Sequence, residues 1–174
     1  MLYLLMIVCI FISSCDNNEP KKNSIYSVID NVIYGNPLTI EIYDKDKISI
    51  KIDADTLHKY NEGNTLLFGG VYADLHNDLG EKTSVMYSDT AIIYNKTDSV
   101  RAIGNVIVES LKGSKLHAHK IILYNKSKLV KSEENIMLTT NNKDTLYGKG
   151  FWSNFDMSNS QILKPIGQIN KLKK

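Results

Sequence analysis

Cysteine is nearly missing from this chain: among 174 residues only Cys9 and Cys15 carry a thiol, both close to the N-terminus. The body of the protein therefore has no disulfide framework and no thiolate nucleophile to offer. Proline and tryptophan are almost as scarce, at three and one. No apolar run reaches the roughly twenty residues that a membrane-spanning helix needs, and the longest, Leu2 to Ile12, is about half that. Apolar spacing at i, i+3, i+4 and i+7 never persists beyond a few residues, so helices are expected to be absent or marginal. Neither sign of charge dominates. Lys and Arg number 21 against 19 Asp and Glu, mixed along the chain for a net +2, which points away from nucleic acid and from a polybasic membrane patch. A Gly-x-x-x-x-Gly-Lys-Ser/Thr phosphate loop and a Gly-x-Ser-x-Gly nucleophile elbow are both lacking. The adjacent carboxylates Glu133 and Glu134 read as solvated surface at a turn. Neither an enzyme nor a cofactor is expected.

What is present is β-branched and aromatic residues punctuated by Asn, Asp and Gly, the composition of an all-β domain. One phrase is written three times: Asp55-Thr56-Leu57-His58-Lys59-Tyr60-Asn61, Asp89-Thr90-Ala91-Ile92-Ile93-Tyr94-Asn95 and His119-Lys120-Ile121-Ile122-Leu123-Tyr124-Asn125. The last two copies hold one offset over a whole unit, so that Val100 matches Val130, Asn105-Val106 matches Asn135-Ile136, and Leu116 matches Leu146. A period near thirty residues marks one strand-turn-strand unit used repeatedly, each copy burying an apolar face against its neighbours. Ile48, Ile50, Ile52 and Ala54 share one parity against Ser49, Lys51 and Asp53, the pattern of a half-buried strand. Val106 and Val108 continue with Leu116 and Ala118 after a Lys112-Gly113 turn, and Ile136 and Leu138 with Leu146 and Gly148 after Asn141-Asn142. Gly35-Asn36-Pro37 reads as a turn beside an edge, Gly69-Gly70 as a bulge, and Thr83 to Tyr94 as one run. Beyond Asp156 the pattern fades, and Lys171 to Lys174 is a basic tail.

The N-terminus reads as an address. Leu2 to Ile12 followed by Ser13-Ser14-Cys15 has the layout of a secretory signal, and its ending resembles the lipobox of bacterial lipoproteins, in which the Cys is acylated. The expected organisation is a signal peptide over residues 1–14, lipidated Cys15 with a polar tether over 15–24, and one β domain over 25–170. Asp16, next to Cys15, resembles an inner-membrane retention signal. Acyl chains contribute about 0.8 kcal/mol per buried methylene, so a multiply acylated Cys15 would hold the domain at a membrane.

Two further features stay open at this level. His117 and His119 share a strand face and could reach one metal ion, but the previous copy has Tyr87 and Asp89 there and no cysteine is near, so no metal site is expected. Phe151 and Trp152 form the largest aromatic pair, either as core filling or as an interface anchor.

Taken in order, Gly104-Asn105-Val106-Ile107-Val108, the Lys112-Gly113 turn, Leu116-His117-Ala118-His119-Lys120-Ile121, Asn135-Ile136-Met137-Leu138 and Asp144-Thr145-Leu146-Tyr147-Gly148-Lys149-Gly150-Phe151 resemble the LptC family of periplasmic lipopolysaccharide-export components. That family lies within the LptA/LptC/OstA-like superfamily, and this chain resembles its Bacteroidetes-type lipoprotein form over about residues 39 to 152. The resemblance implies a twisted, open β-jelly roll whose apolar interior holds the acyl chains of lipid A. The lining it implies is Ile50, Ile52, Val71, Val85, Val106, Val108, Leu116, Ile136, Leu138 and Leu146, residues that an ordinary core would use equally well. It further implies a periplasmic domain anchored to the inner membrane through Cys15. The ABC-transporter membrane subunits would meet the N-terminal edge (Ile25 to Tyr43), and an LptA-like bridge protein the C-terminal edge (Thr145 to Phe151). The competing reading is a surface or periplasmic β-sandwich lipoprotein that binds a glycan or a protein, which would need an exposed aromatic platform.

Overall fold

The computed structural model describes residues 29–61 and 63–167. The signal-like segment 1–14, Cys15, Asp16, the tether and the basic tail lie outside them. Ten strands follow in order: β1 (Ile29–Asp44), β2 (Lys47–Tyr60), β3 (Asn64–His76), β4 (Lys82–Ser88), β5 (Thr90–Tyr94), β6 (Ser99–Ser110), β7 (Lys115–Tyr124), β8 (Leu129–Thr139), β9 (Thr145–Asn154) and β10 (Ser160–Ile166). They form a single antiparallel sheet in the order β1-β2-β3-β4-β6-β7-β8-β9-β10, with β5 also pairing β3 and β6. Among the described residues the only helical piece is a 3-10 turn at Asn95–Thr97. The fold is all-β and jelly-roll-like, as the composition requires.

Register breaks near the middle of four long strands: between Ala54 and Thr56 in β2, Ile103 and Val106 in β6, Ala118 and Ile122 in β7, and Ser132 and Asn135 in β8. Extra residues on one strand bend it and sharpen its twist. The bends fall side by side, so the sheet folds along one corner into two half-sheets. Residues 47–54, 71–76, 82–88, 106–110, 115–118, 136–139 and 145–149 make the first half. Residues 56–60, 64–68, 90–94, 99–103, 120–124, 129–132 and 151–154 make the second. Their free ends meet again opposite the corner, where Ser84 Oγ donates to Phe155 O at 2.6 Å and Ser110 Oγ to Asp156 O at 2.8 Å.

The corner explains the thrice-written phrase. Its first residue, Asp55 or Asp89, packs beneath a glycine of the next strand: a Cβ on Gly69 would run into Asp55, and one on Gly104 into Asp89. Both glycines hold positive φ, 85° and 81°, a conformation other residues adopt only with strain. In the third copy the partner strand β8 crosses the corner without a glycine, and His119 stands in place of Asp. The copies occupy the second halves of β2 and β7 and the whole of β5, every other strand of that half-sheet, so one period is one hairpin.

Three expectations need correction. Gly35-Asn36-Pro37 is not a turn between strands but a bulge inside β1, between the pairs Tyr34–Thr56 and Leu38–Ala54, because the edge strand must cross the corner too. The run from Thr83 to Tyr94 is split at Asp89 into β4 and β5 by the same bend. The C-terminal edge is not Thr145 to Phe151 but β10, whose Ser160–Ile166 pairs with Ser153 back to Tyr147 of β9. β10 was illegible because an edge strand has little to bury: only Ile162 packs against the core, so no alternation is imposed.

Candidate functional site

One apolar cluster runs from Ile50 to Met157 and fills the space between the half-sheets. Of the residues expected to line an interior, Ile50, Ile52, Val71, Val106, Val108, Leu116, Ile136 and Leu138 are buried in it, and half-buried Leu146 packs against it. Cross-strand pairing joins Ile52, Ala73, Met86, Val108, Leu116, Leu138 and Leu146 into one row across the strands. Six strand steps of about 4.8 Å make it roughly 29 Å long. In the other half-sheet Ile93, Val100, Leu123 and Val130 form a second row. The result is an apolar interior that is continuous from β2 to β9, with β1 and β10 as edges that have no further partner strand among the described residues.

Val85 does not belong to it. In β4 the inward residues are Ser84, Met86 and Ser88, while Val85 pairs with Asp74 and Glu109 on the outer face. The sequence misleads here because the outer face carries the β-favouring Thr83, Val85 and Tyr87, and the inner face carries two serines. Both serines have structural tasks: Ser84 closes the far side of the roll, and Ser88 Oγ donates to Thr90 O at 3.0 Å across the break.

The meeting of the two free ends is a polar seam that sequence reading missed. Lys128 is 8% exposed, and its Nζ donates to Ser49 Oγ at 2.7 Å, Asn125 O at 2.9 Å and Asp44 Oδ2 at 3.1 Å. An ammonium has three donors, and all three are used. Asn125 Nδ2 donates to Tyr43 O at 3.0 Å and to the Asp98 carboxylate at 3.0 and 3.2 Å. Further along, the Ser84 and Ser110 hydroxyls and the Lys112–Asp156 pair at 2.7 Å complete the closure. The usable signal in the sequence was the placement of Ser84 and Ser110 at inward parity, where a polar side chain must find a partner.

Burial pushes the Asp156 carboxyl up, but hydrogen bonds from Lys112 Nζ, Ser158 Oγ and Ser158 N outweigh it and leave the group below its usual value. A depressed carboxyl stabilises the fold above the unfolded-state pKa, about 3.9, and that contribution is lost as pH falls through the lower folded value. Asp74, pushed up by burial but held down by Lys82 and Tyr72, has the same sign. The expected result is a melting temperature to which these groups give no slope between pH 5 and 8, and an acid loss below about pH 4. Melts of Asp156→Asn against the parent chain should show a shallower acid loss. An equal loss in both would remove Asp156 from the account.

On the outer face, Tyr72, Tyr87, Ile107, His117, Met137 and Tyr147 form a row across six neighbouring strands. The Tyr72 and Tyr87 rings meet edge-on at 5.2 Å. His117 and His119 border a hollow of about 500 Å3 there, with Asn105, Asn135 and Tyr147. Phe151 and Trp152 part company: Phe151 is fully buried, whereas Trp152 is outward and donates through Nε1 to Gln161 Oε1 at 2.9 Å. Among the described residues no helix is long and apolar enough to cross a membrane.

Residues 1–166 match the family model described as Lipopolysaccharide-assembly, LptC-related. No curated protein matches the chain.

Proposed function

The chain belongs to the LptC-related family of lipopolysaccharide-assembly proteins, and on that premise we propose that it is a membrane-anchored periplasmic segment of the lipopolysaccharide bridge. Participation in lipopolysaccharide transport, in a periplasmic and inner-membrane-associated family of carriers rather than catalysts, follows from membership. The finer reading is that lipopolysaccharide arrives from an inner-membrane ABC transporter at β1, moves with its acyl chains in the apolar interior, and leaves to an LptA-like protein at β10. Cys15 would carry the lipid anchor.

The observation that supports this most is the interior itself, an apolar row about 29 Å long ending near edges that are unpaired on both sides among the described residues. Edge strands are the natural sites for adding a strand from another protein. Each edge carries one proline, Pro37 in β1 and Pro165 in β10, which limits pairing to part of its length. Removing ten methylenes from water is worth on the order of 8 kcal/mol, enough to hold a chain in the interior and too much for it to advance without work done elsewhere. Because the interior is filled by side chains, room for a chain has to come from parting of the two half-sheets at the seam.

Photo-crosslinking in cells tests the reading. Val106 and Ile107 are neighbours in β6, one buried in the interior and one facing outward. A photoreactive residue at 106 should give a lipopolysaccharide adduct and one at 107 should not. Absence of an adduct at both positions, in folded and membrane-bound protein, would overturn the transport reading. Adducts confined to 107 would shift attention to the outer aromatic row and to a glycan- or protein-binding lipoprotein.

A further inference from the structure

At the β1 end of the seam lies a cavity of about 130 Å3. Its floor is apolar: Ile42, Ile93 and Val100 all belong to the interior cluster or pack against it. Its rim is polar and includes Tyr94, Asp98 and Asn125. An apolar cavity of roughly 150 Å3 accepts a benzene-sized guest, so this one has room for the first few methylenes of a chain.

Asn125 gives the site its chemistry. It is 2% exposed, and its Nδ2 is committed to Tyr43 O and the Asp98 carboxylate, which fixes the orientation of the amide. Its Oδ1 is buried and has no hydrogen-bond partner among the described residues. A buried acceptor left unpaired is unfavourable, and such groups are rare where no ligand or structural reason requires them. The Lys128 ammonium, bonded to Asn125 O, Ser49 and Asp44, holds this stretch against the β1–β2 hairpin. The nearby Asp98 carboxylate disfavours an anion at the rim, so a phosphate or carboxylate would have to stay outside.

Resting on the transport reading above, we propose that this cavity is the mouth through which an acyl chain passes into the interior, and that Asn125 Oδ1 recognises a hydrogen-bond donor at the head of that chain. The donor is an uncharged hydroxyl or amide N–H close to the chain's polar end. A chain of the same length without such a donor fills the floor but leaves Oδ1 unpaired.

Three neutral probes differ in this one respect: methyl 3-hydroxytetradecanoate, N-methyl tetradecanamide and methyl tetradecanoate. Titrated into the full chain and followed by NMR at the Ile93 and Val100 methyls, at least one donor-bearing probe should bind about 3- to 10-fold tighter than the plain ester, the difference one net hydrogen bond makes. Asn125→Leu should erase that preference while keeping affinity for the plain ester. Should Asn125→Leu fail to fold, Val100→Phe takes its place: it fills the floor and should weaken all three probes. Equal affinity for the three probes in the parent chain, or unchanged binding in Val100→Phe, overturns the proposal. If no probe binds while position 106 still gives a lipopolysaccharide adduct, the mouth is elsewhere and the transport reading stands. If both fail, both fall.

Discussion

A disulfide across the seam should abolish loading of lipid while making the protein more stable. Ser110 Oγ lies 2.8 Å from the backbone oxygen of Asp156, on opposite lips of the roll and 46 residues apart in sequence. In the doubly substituted chain, Ser110→Cys with Asp156→Cys, oxidation closes a loop of that length, and the restriction of the unfolded chain stabilises by about 4 kcal/mol. The native cysteines, Cys9 and Cys15, are far away in sequence, near the N-terminus. If acyl chains need the lips to part, the adduct at position 106 disappears on oxidation and returns with reductant, even though the melting temperature has risen. That combination separates a locked seam from a damaged fold, because damage lowers stability and loading together. An undiminished adduct in the oxidised protein would mean that chains pass through the ends of the roll and that the seam is only structural.

The second large effect is expected at the corner. Gly104→Val places a β-branched side chain at φ 81° and drives its Cβ into the Asp89 side chain, which also accepts a hydrogen bond from Asn105 Nδ2 at 2.9 Å. Backbone strain of about 1–3 kcal/mol adds to overpacking of similar size, for a loss of roughly 3–5 kcal/mol. At about 2–4 °C per kcal/mol for a chain this long, the melting temperature should fall by roughly 6–20 °C. Gly70→Ala is the control: it shares the positive φ, 88°, but a Cβ there meets nothing within 4 Å, so its cost is backbone strain alone. Equal losses in the two variants would show that φ, and not the packing of Asp89, gives the corner its glycine requirement.

How far the sequence could be read followed from what each residue has to satisfy. The parity of Ile50, Ile52, Val106, Val108, Leu116, Ile136 and Leu138 was legible because a strand with one face in a core must alternate with period two. Val85 misled because its neighbours Ser84 and Ser88 face inward for reasons that lie 71 residues away, at Phe155, and across the break between β4 and β5. The repeat could be seen, but not its cause, since the pairing of Asp55 with Gly69 and Asp89 with Gly104 exists only once strands lie side by side.

The sequence by itself determined an all-β chain, the spacing of its hairpins, most of its inward residues and the family to which it belongs. These are local properties, set by side-chain alternation and turn chemistry along one strand at a time. Only the tertiary structure decided that the sheet folds at a single corner, that β10 and not β9 is the free edge, and that Lys128, Asn125, Asp44 and Ser49 close the roll. Those features depend on groups from distant parts of the chain meeting in space: a buried ammonium needs three acceptors, and its position in a turn does not say which strands will supply them.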